Sequence, residues 1–103
     1  MNEVFFTITG TRHYHGTEFM KEGMKVKLEK DPDNTHDKEA IKVLIHGIGQ
    51  VGSVANSPYT VVGESMSAGR LYDKIGDTAE GEILYILPDG VLCVLKEGKK
   101  REE

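Results

Sequence analysis

The chain is poor in several things at once: it has one cysteine, no tryptophan and only three prolines in 103 residues. A lone cysteine, Cys93, cannot close an internal disulfide. Flanked by Val91, Leu92, Val94 and Leu95, it reads as a buried thiol of a protein kept in a reducing cytoplasm. No apolar run is long enough to span a bilayer, so no membrane partner is expected. The opening "MNEVFF" lacks the basic and apolar regions of a secretory signal. Basic excess is missing too: 13 Lys and Arg stand against 17 Asp and Glu, a net charge of −4. Nonspecific coating of nucleic acid needs a basic surface to neutralise phosphates, so that class is excluded. A small site gripping one end of a strand is not.

What is present suits one domain with one modest core. "EVFFTITG" is dense in β-branched and aromatic residues and predicts a strand over residues 3–9. "TRHYHG" extends it in frayed or bulged form to Gly16. In "MKVKLEK", Met24, Val26 and Leu28 alternate with charged residues, the pattern of a strand with one dry face. "DPDNTHD" is a turn-rich loop, because Pro fixes φ while Asp and Asn bond their own backbone. "AIKVLIH", a tight "GIGQ" turn and "VGSVA" give two more strands. Ala68, Leu71, Tyr72 and Ile75 share one face of a short helix, with Ser67 as its cap and Gly76 at its C-terminal stop. "EGEILYILPDGVLCVLKEG" is a hairpin about "PDG", apolar on nearly every residue and so expected to be covered on both faces. The order β, β, β, β, α, β, β predicts a mainly β protein with one short helix, folded as a small barrel of about six strands. Closure removes the exposed edges that a flat sheet would leave.

Three motifs fail on inspection. Asp31, Asp33, Thr35 and Asp37 supply oxygens at EF-hand spacing, but His36 occupies the glycine position and Lys42 the bidentate glutamate position. "GIGQVG" spells a dinucleotide-binding glycine pattern, yet "SVANSP" follows where a helix must open. "GESMS" lacks the second glycine of a nucleophile elbow, and no Walker-type loop occurs. A zinc site would need His13 and His15, on one face of an extended strand, to meet His36. No enzyme and no cofactor are expected.

"RHYH" and "DNTHD" remain. Arg12 is a phosphate fork, and the Tyr14, His13 and His36 rings offer faces to unpaired bases. Asn34 and Asp37 can bond a sugar hydroxyl or a base edge. The same residues also suit a satisfied polar loop, and a surface that docks another protein is the competing use.

The blocks "GTRHYHG", "GMKVKLEKDPDNTHDKEAIKV" and "GQVGSVA", in this order across residues 4–56, resemble the HIRAN domain. In that family a basic and aromatic motif precedes an acidic turn-and-strand and a glycine-rich strand. The form resembles the stand-alone prokaryotic or phage type; elsewhere the domain heads Swi2/Snf2 helicases. The resemblance implies one domain over residues 1–97, OB-like, with a charged, loose tail at 98–103. It also implies binding to the 3′-hydroxyl end of single-stranded DNA in repair or replication, alongside a helicase or nuclease partner. By position, Arg12 would contact phosphate. His13 stands where a stacking tyrosine is expected, and Tyr14 follows. Asn34 would orient the terminal nucleotide, His36 replaces a second stacking aromatic, and Asp37 would take the 3′-hydroxyl. Ser53 stands in place of a histidine and Asn56 in place of a lysine. Histidine stacks with less area, and the last two changes remove positive charge from the phosphate side.

Overall fold

The computed structural model describes residues 3–100. Its strands are β1 (Phe5–Thr9), β2 (Lys25–Lys30), β3 (Ile41–Ile45), β4 (Gly49–Val54), β5 (Ile75–Leu87) and β6 (Gly90–Lys99), with helix α1 at Ala68–Tyr72. They close into a barrel in the order β1-β4-β3-β2-β5-β6. Every strand pair is antiparallel. Ile8 is paired on both sides, with Val54 and with Val91, and there β1 closes the barrel.

The alternation read from the sequence decides what points inward. Val26 and Leu28 of β2 are buried while Lys25 and Lys27 are exposed; Ile41, Val43 and Ile45 do the same on β3. Together with Phe6, Ile8, Val51, Ile83 and Val91 they make one core, which also receives Ala68 and Leu71 from α1. Ser67 Oγ caps that helix by accepting from Arg70 N at 3.4 Å.

Four local expectations are corrected. "TRHYHG" does not prolong β1. Gly10 adopts φ 73°, which turns the chain into a 3₁₀ segment at Thr11–His13. Positive φ costs glycine little, so the break falls there. Gly76 is no helix stop: α1 ends at Tyr72, and Ile75 and Gly76 already belong to β5. Ile75 is still fully buried, so the apolar face is real but shared between a helix and a strand. The last hairpin is not covered on both faces, because Tyr85 and Leu87 are exposed. Finally, β6 runs past residue 97. Ile75 pairs with Lys99, and Lys100 N donates to Lys74 O at 2.7 Å, so the start of β5 orders the chain there. Residues 101–103 of the expected tail lie outside the described residues.

Candidate nucleic-acid interface

The residues singled out by the sequence fall into two groups at β4: the 3₁₀ segment with Arg12 and His13 packs against the strand, and Asp37 is bonded to Asn56 just after it. Across the strands, Thr9 of β1 sits opposite Ser53, and Ser53 lies opposite Lys42 of β3. Lys42 in turn faces Glu29 of β2. This half-buried polar row runs across the outside of the barrel. The segment carrying Arg12 and His13 adjoins one end of it, and the loop before β3 joins near its middle.

That loop, residues 31–40, is built on side-chain bonds to its own backbone. Asn34 Oδ1 accepts from both His36 N and Asp37 N at 2.9 Å. Asn34 Nδ2 donates to Asp31 Oδ2 at 3.3 Å. Asp37 Oδ1 accepts from Glu39 N at 2.9 Å. Such Asx bonds replace the sheet ladder that a turn gives up. Asn34 thus uses its amide to shape the loop and so positions Asp37.

A longer-range bond then fixes the carboxylate. Asn56 Nδ2 donates to Asp37 Oδ2 at 2.8 Å, and Asn56 Oδ1 accepts from Gly69 N at 2.8 Å. One amide therefore ties the β2–β3 loop to the start of α1. Asn56 thereby braces the loop that carries Asp37. A carboxylate has about four lone-pair sites on its two oxygens, so one donor on each leaves capacity for an outside hydroxyl. Asp37 is half-buried, and it can be reached.

The cationic and aromatic side is set differently. The 3₁₀ segment lies against β4 because Gly52 leaves room. A Cβ at Gly52 would come within 2.7 Å of Ile8 Cγ2 and of Thr9 O, and 3.4 Å of Thr11 Cγ2. Arg12, His13, Tyr14 and His15 are all exposed. The one ion pair among the described residues is Lys27–Glu29 at 3.4 Å, so the Arg12 guanidinium is uncommitted. Lys25 and Lys27 stand opposite Glu82 and Glu80 on β5, which offsets their charge. By the same pairing Lys42 is offset by Glu29, which leaves Arg12, Lys38 and Arg70 as exposed cations near these residues.

Arg12 and His13 border a hollow of about 640 Å³ that also takes in Tyr59, Leu87, Pro88 and Asp89. Neither Asn34, His36 nor Asp37 lines it. A second hollow of about 380 Å³ lies by Asn56, Ser65 and Arg70. Tyr59 and Arg70 escaped the sequence reading. Their signal was slight: one aromatic in "NSPYTVVG", and an arginine on the polar face of α1. Among the described residues, no three His, Cys, Asp or Glu side chains gather as a metal site. His13 and His15 lie on and beyond a 3₁₀ turn rather than along a strand, which removes the geometry that a zinc reading with His36 required. Cys93 is fully buried, and burial pushes its thiol up to about 12, so it offers no nucleophile. No described helix is long and apolar enough to cross a membrane.

Comparison with known proteins bears on the fold and the family. No curated protein matches the sequence. Among solved structures, the crystal structure of the HIRAN domain of human HLTF superposes with a TM-score of 0.62. That match covers 96% of this chain and 78% of the other at 23% identity, a likeness that establishes the fold. The family model of the HIRAN domain matches residues 1–71, which take in the 3₁₀ segment, the Asp37 loop, β4 and α1 nearly to its end. The chain belongs to the HIRAN domain family.

Proposed function

We propose that this member of a generally DNA-binding family is a non-catalytic module that binds single-stranded DNA at a free 3′-hydroxyl end. The observation that carries the reading is the held carboxylate of Asp37. Asn56 Nδ2 and Glu39 N each occupy one of its oxygens, and the loop is shaped by Asn34. A fixed acceptor meets a hydroxyl donor without paying to order itself, and charge-assisted hydrogen bonds are the strong ones. A 3′-phosphate placed there would set like charges a few ångströms apart, and that repulsion is the basis of selection.

Arg12, on the 3₁₀ segment that packs against β4, supplies a phosphate contact, with Lys42 in the polar row across the barrel. His13, Tyr14 and His36 provide exposed ring faces for the terminal base. Ser53, opposite Thr9, keeps a small polar surface between the two sides. With few cations gathered, affinity should be modest and salt-sensitive.

Asp37→Asn tests the reading. The amide keeps the size and one acceptor but loses the charge. Binding of a 3′-hydroxyl oligonucleotide should fall, while binding of the 3′-phosphate form should rise. Unchanged affinity for both would remove Asp37 from the site.

A further inference from the structure

The first N–H groups of a helix have no partner within it. At the start of α1 each finds an acceptor outside the ladder. Ala68 N donates to Ala55 O at 2.9 Å, Gly69 N to Asn56 Oδ1 at 2.8 Å and Arg70 N to Ser67 Oγ at 3.4 Å. The bond from Gly69 differs from the other two, because its acceptor belongs to an amide that goes on to hold Asp37 Oδ2 at 2.8 Å.

The stem of that amide is fixed. Ala55 is fully buried; its N donates to Thr7 O of β1 at 2.8 Å, and its O takes the bond from Ala68. The amide itself has one permitted orientation. Its oxygen must face the Gly69 N–H, a donor, so its NH₂ must face the carboxylate, an acceptor. A backbone N–H of α1 thus sets the direction of the hydrogen bond that Asp37 receives.

The approach of α1 needs a residue without a Cβ. A Cβ at Gly69 would lie 2.9 Å from Glu39 Oε1 and 3.3 Å from Asn56 Oδ1. Glu39 is exposed, and its carboxylate can swing aside. Asn56 is tied at both ends of its amide and would have to give by a few tenths of an ångström. Glycine destabilises a helix interior relative to alanine, so helix propensity alone would disfavour it at this position.

We infer that Gly69 and Asn56 form a positioning pair, through which the start of α1 sets how strictly Asp37 tells a 3′-hydroxyl from a 3′-phosphate. This rests on the reading of Asp37 as the 3′-end acceptor and names what sets its selectivity. A carboxylate released from Asn56 can turn its oxygens away from a phosphate and away from a hydroxyl alike. The repulsion and the hydrogen bond then weaken together.

The test uses the full chain and two oligonucleotides of one sequence, one ending in a 3′-hydroxyl and one in a 3′-phosphate. Asn56→Ala should lower the preference for the hydroxyl end by roughly 2- to 10-fold, the range of one hydrogen bond. Because that change also uncaps α1, Gly69→Ala is the cleaner variant. It should lower the preference in the same direction while the thermal midpoint holds or rises, since alanine suits a helix better. In an Asp37→Ala background neither change should alter the preference further, the signature of residues that act through Asp37. An unchanged preference in Asn56→Ala overturns the inference, and so does an equal loss in the absence of Asp37. A more stable Gly69→Ala with full preference removes Gly69 from the pair. If the unaltered protein shows no preference at all, the reading of Asp37 fails, and the pair is judged without DNA. The Asn56 side-chain amide protons, followed by NMR, should then exchange slowly in the unaltered protein and faster in Gly69→Ala and Asp37→Ala. Equally fast exchange in all three would refute the pairing itself.

Discussion

The two sides of the candidate interface are built on opposite principles. Around Asp37 the side chains are committed: Asn34, Asn56 and Asp37 each make two or more hydrogen bonds, all to the loop or to α1. Around Arg12 and Tyr59 the backbone is held and the side chains stand exposed. A preorganised acceptor pays little entropy on binding and discriminates sharply between chemical groups. Free cations and rings pay more, but they adapt to any base and any backbone path. On the proposed reading, the difference makes end recognition and strand affinity separable, one lodged on each side of β4.

The comparison can be broken at several points. The largest effect is expected from Asp37→Ala. Loss of a hydrogen bond to a charged group costs about 1.5–3 kcal/mol, so 3′-hydroxyl strands should bind roughly 10- to 150-fold more weakly in an anisotropy titration. The salt dependence of binding should stay unchanged. Arg12→Ala should do the reverse. Affinity should fall about tenfold, and the slope of log K against log salt should shrink by about 0.7, one single-strand phosphate contact. Its preference for a 3′-hydroxyl over a 3′-phosphate should survive. If both variants altered both observables together, the sides would not be separate.

A subtler probe is Asn34→Ala. The two amides that Asn34 Oδ1 satisfies, His36 N and Asp37 N, would lose their partner at a cost of about 1 kcal/mol. Their hydrogen exchange should quicken while that of Val62, tied to Thr7, stays as it was. Equal acceleration at both loops would mean that they form one cooperative unit.

The smallest effect is a null, at Cys93 in the core beneath both sides. Its folded thiol is raised above the ordinary value to about 12, so below pH 9 the folded protein holds it neutral. The preference for the neutral thiol stabilises the fold at low and neutral pH. It is lost as pH rises from about 9 toward 12. Iodoacetamide at pH 8 should leave the native chain unmodified and label it only after denaturation, as mass spectrometry would register.

Much of the fold was legible because barrel strands announce themselves by alternation. Val26 and Leu28 against Lys25 and Lys27 fixed the inward face of β2, and the same logic served β3. Boundaries set by a single backbone torsion were not legible. Nothing in "TGTRH" says that Gly10 turns at φ 73° rather than continuing β1. Ile75 carried the right periodicity for α1 yet went to β5, because helix and strand bury into one core.

In the site, the local turn chemistry of "DPDNTHD" was readable, since Asn34 and Asp37 bond within five residues. The bond from Asn56 to Asp37 was not, because it spans 19 residues of chain and depends on the barrel bringing β4 beside the loop. Tyr59 was hidden for the same reason. Its segment is tied down by Thr7, more than fifty residues earlier, which bonds to Val62 and Ser65.

The central claim is that a fixed carboxylate reads the chemistry of a strand's end. The most direct measurement is the affinity of the unaltered protein for two oligonucleotides of one sequence, one ending in a 3′-hydroxyl and one in a 3′-phosphate, titrated side by side at low salt. The account predicts clearly tighter binding of the hydroxyl end, by about tenfold or more, from a gained charge-assisted bond and an avoided repulsion. Equal affinities, or tighter binding of the phosphate end, would contradict it.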